Sequence, residues 1–164
     1  MSLNPLLVKK KKAILQKWFD RVLGTYPIDM QGFFRRQSEP FVNPVGSTML
    51  ASLEGLFAEL LKKEDYGRVR SFLEDILRIR SIQDFSPSQA VVFLPLLKGV
   101  LKDEIGDEVR QNRLYGEWLE LESRIDEFLL LAFDIYMECR EKVFQLKTQE
   151  LRSRVAFPSL RSET

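Results

Sequence analysis

The densest group of chemically capable side chains in this sequence runs Arg78-Ile79-Arg80-Ser81-Ile82-Gln83-Asp84-Phe85-Ser86-Pro87-Ser88-Gln89. Arg78 and Arg80 are fixed cations whose paired N–H groups suit carboxylate or phosphate, and Gln83, Ser86, Ser88 and Gln89 add neutral donors and acceptors. Ser86 also reads as a helix cap. Its hydroxyl accepts from a free backbone N–H, Pro87 takes the first helical position, where a missing N–H costs nothing, and Gln89 reaches back to the Ser86 N–H. An arginine folded back over this helix start would make an anion site; the simpler arrangement is local capping plus an arginine ion pair with Asp84. Asn43, before Pro44, marks a second capped start of the same kind. The candidate ligand-binding residues, for a small anionic ligand, are therefore Arg78, Arg80, Gln83, Asp84, Ser86, Ser88, Gln89 and Asn43.

No catalytic residue is predicted. Asp84 is the only base close to these arginines, and a carboxylate in an ordinary environment is a weak base at neutral pH. The chain contains no histidine and one cysteine. Their scarcity removes the usual haem ligand, the commonest zinc ligand and the common neutral-pH base, so no cofactor, haem or metal is expected. Twenty-five Lys+Arg against 24 Asp+Glu leave a formal net charge of +1, too little overall field to recruit nucleic acid or an anionic membrane. No apolar run is long enough to span a bilayer, and the start is not a secretory signal. Cys139 has no internal disulfide partner, which fits a reducing compartment. The expected location is cytoplasmic.

The elements that must hold these residues are helices. Pro5 to Leu23 carries one apolar stripe (Ile14, Leu15, Trp18, Phe19, Val22, Leu23), with Lys9 to Lys12 pointing all round the axis into solvent. Asp29 to Arg36 forms a short helix with Met30, Phe33 and Phe34 inward. Pro44 to about Lys63 and Asp65 to about Arg80 are amphipathic. The helix from Ser86 to about Lys102 is apolar nearly all round and belongs in the core, kinked by Pro95. A long terminal helix follows Gly116. Its seam Trp118, Leu121, Ile125, Phe128, Ala132, Ile135 and Cys139 faces the domain, and a second stripe at spacing seven, Leu129, Tyr136 and Val143, with Leu146 beyond it, is the predicted interface of a homodimer, the alternative being a central helix that its own domain covers on both faces. The fold class is all-α: a single compact domain of about six to seven helices over residues 1–151, then a flexible tail, 152–164.

The Ser86 helix start, with Phe41-Val42-Asn43-Pro44-Val45-Gly46 upstream and Phe93-Leu94-Pro95-Leu96-Leu97-Lys98 downstream, resembles the amino-terminal domain of the RsbT co-antagonist (RsbRD-type) stressosome proteins, from about Trp18 to about Lys102. The resemblance implies a non-enzymatic sensory or interaction module of stress signalling, with a non-haem globin-like helical arrangement and a regulatory protein partner. In that family a STAS output domain follows; none is expected within these residues. Two alternatives are an enzyme acting on an anionic small molecule through Arg78 to Gln89, and a structural protein-binding adaptor.

Overall fold

The computed structural model describes residues 2–35, 44–62 and 67–156, giving for 33–35 the backbone alone. Among the described residues the chain forms eight α-helices and no strand: α1 (Leu3–Lys9), α2 (Lys11–Leu23), α3 (Ile28–Arg35), α4 (Pro44–Lys62), α5 (Gly67–Ile82), α6 (Pro87–Val91), α7 (Phe93–Gln111) and α8 (Tyr115–Ala156). The apolar stripes read from the sequence face a common core, with Trp18, Phe19, Phe57, Leu73, Phe93 and Phe128 all buried. α4 lies against α5, α2 against α7, and α8 against both α5 and α7. Gly55 faces the ring of Phe72 so closely that a Cβ at 55 would sit 2.4 Å from it. Glycine at this point lets α4 approach α5.

The helix ends follow from local chemistry. Ser86 completes its capping box: the Gln89 N–H donates to Ser86 Oγ (3.3 Å), and the Ser86 N–H donates to Gln89 Oε1 (3.1 Å). α5 and α7 both close through a left-handed residue, Asp84 (φ 58°) and Arg113 (φ 55°). The next N–H groups, of Phe85 and Leu114, then reach back to the carbonyls of Arg80 (3.5 Å) and Val109 (2.9 Å). This reversal satisfies carbonyls that a helix terminus leaves open.

Two expected helices are each divided. The first breaks at Lys10 (φ −97°, ψ 8°). Lys10 does not project with its neighbours: its Nζ donates to the Glu104 carbonyl and to Glu108 Oε1, both at 2.7 Å. Lys17 and Arg21 pair with Glu104 and Asp103, so α2 is clamped to α7 by three cations on one side. The Ser86 helix breaks at Val92, just ahead of Pro95, which lacks an N–H and whose ring collides with the Val91 carbonyl of a continuous helix. The indole N–H of Trp18 donates to the Phe93 carbonyl (2.7 Å) beside this break. Beyond it α7 passes Gly106 and reaches Gln111, because Ile105 and Val109 continue the buried face.

Other expectations shift. Met30 is exposed rather than inward. The Phe33, Phe34 and Arg35 side chains, Arg36 and Asn43 lie outside the described residues. α5 runs to Ile82 and α8 to Ala156, so 152–156 is helix where a tail was expected, and 157–164 is outside the described residues.

Candidate functional site

α8 is 42 residues long, about 63 Å at 1.5 Å per residue. Leu121, Ile125, Phe128, Ala132 and Ile135 bury its first half, as the seam predicted, and Tyr136 is its last buried residue. Of the predicted interface residues, Leu129, Tyr136 and Val143 do not face outward, while Leu146 does, at 66% exposed. Tyr136 is 0% exposed, and its hydroxyl donates to the Phe85 carbonyl. Leu129 packs on the core, and Val143 is half-buried beside α5, where it lines a cleft together with Leu146. The α5–α6 loop climbs against α8 and covers this side, which sequence spacing alone does not reveal. A different stripe stays open: Leu130, Met137, Phe144 and Leu151, again at spacing seven, with Leu130 and Phe144 each 70% exposed.

Under that loop sits Arg80, 0% exposed. Its Nη1 donates to the Gln89 carbonyl (2.8 Å) and its Nη2 to Thr25 Oγ1 (3.0 Å). Three ring faces surround the guanidinium: Phe85 at 4.7 Å, Tyr26 at 5.3 Å and Phe93 at 5.7 Å from their centroids. Arg80 Nε has no hydrogen-bond partner, and no carboxylate among the described residues forms an ion pair with Arg80. Burial lowers the Arg80 pKa, with the Tyr26 hydroxyl acting in the opposite sense. An ammonium would present a compact, strongly hydrated charge here; the flat guanidinium stacks on rings and is less costly to strip of water. Arg80 therefore joins the α2–α3 turn, the α5–α6 loop, α6 and the start of α7 through one buried cation.

The candidate residues divide into three places. Gln83, Asp84 and Gln89 line a hollow of about 240 Å³ with Tyr26, Pro27, Met30 and Phe85. Arg80 is tied to a carbonyl and a hydroxyl and is closed off from solvent, so it is not presented to an incoming anion. Asp84 makes no ion pair with either arginine among the described residues. The hollow offers acceptors, including Gln83 Oε1, which is buried without a partner. Its chemistry suits a donor-bearing group rather than an anion. Ser86 is occupied in the capping box, and Ser88 Oγ lies 3.4 Å from Ser86 Oγ. Arg78 points away from all of these, into the cleft between α5 and α8. Arginines two apart on a helix are about 200° apart around its axis, so the segment does not converge into one active site. Sequence reasoning missed Thr25, Tyr26 and Phe93 as partners of Arg80, since their distance along the chain leaves no local signal.

Burial raises the pKa of Tyr136, while Arg140 beside its ring works against that. Tyr26 is raised for the same first reason, with Arg80 opposing. No helix among the described residues is long and apolar enough to cross a membrane, and no group of three His, Cys, Asp or Glu side chains among them is arranged to hold a metal.

A family model described as the RsbT co-antagonist protein rsbRD N-terminal domain matches residues 12–151. An uncharacterised protein of Archaeoglobus fulgidus is 26% identical over 145 residues, covering 85% of this chain and 83% of that protein. No solved structure matches the chain.

Proposed function

We propose, from the premise that the chain belongs to the RsbT co-antagonist protein rsbRD N-terminal domain family, that it is a non-enzymatic signalling module that passes a change in its core to a partner along α8. The observation that supports this reading is the join at Tyr136. Its hydroxyl holds the loop that closes over Arg80, and it is the last buried residue before α8 leaves the domain. Anything that moves the loop pulls on α8 a few turns before its exposed end, which runs from Phe144 to Ala156, about 20 Å of helix.

A lone helix of that length in water is marginal. The stripe of Leu130, Met137, Phe144 and Leu151 gives it something to bury, and a second copy about a two-fold axis is the simplest occupant. A regulatory protein using the same face is the family-style alternative. Sedimentation velocity over a range of concentrations, for wild type and for Met137→Glu/Phe144→Glu, tests the contact. Both positions are solvent-facing in one copy, so the variant should fold and stay monomeric while wild type associates. A wild type that is monomeric throughout removes self-association from the reading.

A further inference from the structure

On the side of α8 opposite the exposed stripe, a cleft of about 320 Å³ opens between α5 and α8. That volume lies at the lower end of the range of about 300–1,000 Å³ typical of small-molecule pockets. Its apolar lining comes from Ile82, Ile135, Val143 and Leu146, with Cys139 among them. Four charged side chains stand at its edges, two carboxylates and two cations, and Arg70 just outside the cleft adds a third cation, so the local balance is +1. Glu74 and Glu138 are both taken by Arg70, whose Nε donates to Glu74 Oε1 (2.9 Å) and whose Nη2 donates to Glu138 Oε2 (2.7 Å). Arg78 and Lys142, one from each helix, have no ion pair among the described residues. The cleft therefore combines an apolar wall with two uncommitted cations on opposite sides. A carboxylate bridging them gains charge-assisted hydrogen bonds, and an alkyl chain behind it covers apolar surface now open to water.

We propose that this cleft binds a medium-chain alkyl carboxylate, with the headgroup between Arg78 and Lys142 and the chain along Ile82, Ile135 and Val143. The site deepens the sensor reading, since a ligand here would wedge α5 against α8 one turn beyond Tyr136. Of the two arginines expected to meet an anion, Arg78 and Arg80, it takes only Arg78, and places it away from the Ser86 helix start.

Titration calorimetry of the full chain with octanoate, octylammonium and acetate tests it. Octanoate should bind saturably at one site, octylammonium should not bind, and acetate should bind far more weakly for want of a chain. Arg78→Gln/Lys142→Gln, two changes at the cleft edge, should weaken octanoate binding at least tenfold. Cys139 gives a second readout. Burial pushes its thiol pKa up, so alkylation by iodoacetamide is followed at alkaline pH, and octanoate should slow it. Absence of saturable binding, equal binding of octylammonium, or undiminished affinity in the double variant overturns the proposal. So does a double variant whose sedimentation changes while its octanoate affinity does not, because the cleft would then be a protein contact. Octanoate binding that leaves hydrogen exchange of α8 beyond Cys139 unaltered would uphold the site and remove the sensor reading.

Discussion

Tyr136→Phe keeps the buried ring and deletes one hydroxyl, so it isolates the bond between α8 and the loop over Arg80. The lost group leaves the Phe85 carbonyl without the donor it now has. Leaving a buried acceptor unsatisfied costs about 1–3 kcal/mol. Phe85 is half-buried, so water can reach its surroundings and the lower part of that range, about 1–2 kcal/mol, applies. In a domain of this size 1 kcal/mol moves Tm by roughly 2–4 °C, so a fall of about 2–8 °C is expected. Urea unfolding should show a lower midpoint with an unchanged slope, because the surface exposed on unfolding is nearly the same. Hydrogen exchange should quicken in the loop from Gln83 to Gln89 and in α8 around residue 136, ahead of the rest of the core. The tyrosine also sets an alkaline limit. Its folded pKa is raised, so its contribution is complete below the ordinary tyrosine pKa and is lost as pH rises through the folded value, at about 1.4 kcal/mol per pH unit per group. Tyr26 contributes in the same sense, and Tyr136→Phe should make the alkaline decline shallower without abolishing it. A variant within about 0.5 kcal/mol of wild type, with unchanged exchange in the loop, would refute the claim that this bond couples loop to helix.

Ser86→Ala removes the hydroxyl half of the capping box and should cost about 1 kcal/mol, read as a shift in urea midpoint. Arg113→Gly relieves a side chain held at φ 55°; the left-handed strain of roughly 1–2 kcal/mol exceeds the added unfolded-chain entropy of about 0.4–1 kcal/mol, so Tm should rise. The acid limb should reflect the clamp between α2 and α7: hydrogen bonds from Arg21 and Lys10 hold the Asp103 and Glu108 carboxyls below their usual range. Groups lowered in this way stabilise the fold above the unfolded pKa and lose that effect as pH falls through the folded one. Stability should therefore drop below about pH 4, and Lys10→Met should flatten the decline.

The all-α class, the stripe on each long helix and the Ser86 capping box were legible because they depend on neighbours within one or two turns. Period and cap chemistry are written locally, and the family resemblance rested on two of those helix starts. The breaks at Lys10 and Val92 were less legible. Pro95 announced a disturbance, but not that Trp18 would reach the Phe93 carbonyl beside it from α2. Lys10 looked like one lysine among four until Glu104 and Glu108 came to it from α7. The interface stripe failed for the same physical reason. Leu129, Tyr136 and Val143 have the right spacing for a contact, and so do Leu130, Met137, Phe144 and Leu151; which set is covered depends on where the α5–α6 loop falls.

Arg80 carries the same lesson to the candidate site. Beside Arg78 in the sequence it looks like half of an anion clamp, yet the two guanidinium groups serve different ends of the fold. A buried cation without a carboxylate pays a desolvation cost of several kcal/mol. Here two charge-assisted hydrogen bonds and three aromatic faces offset it, which only a planar, weakly hydrated cation can exploit together. Its partners come from the α2–α3 turn, the α5–α6 loop, α6 and α7, and Tyr136 fastens the same loop to α8. These elements thus share one small polar junction. A junction of that kind has few ways to rearrange piecemeal: loosening the Phe85 carbonyl from Tyr136 shifts the ring that caps Arg80, and shifting Arg80 disturbs Gln89 and Thr25. That interdependence is what lets a local change at the loop reach the root of α8 as a single displacement.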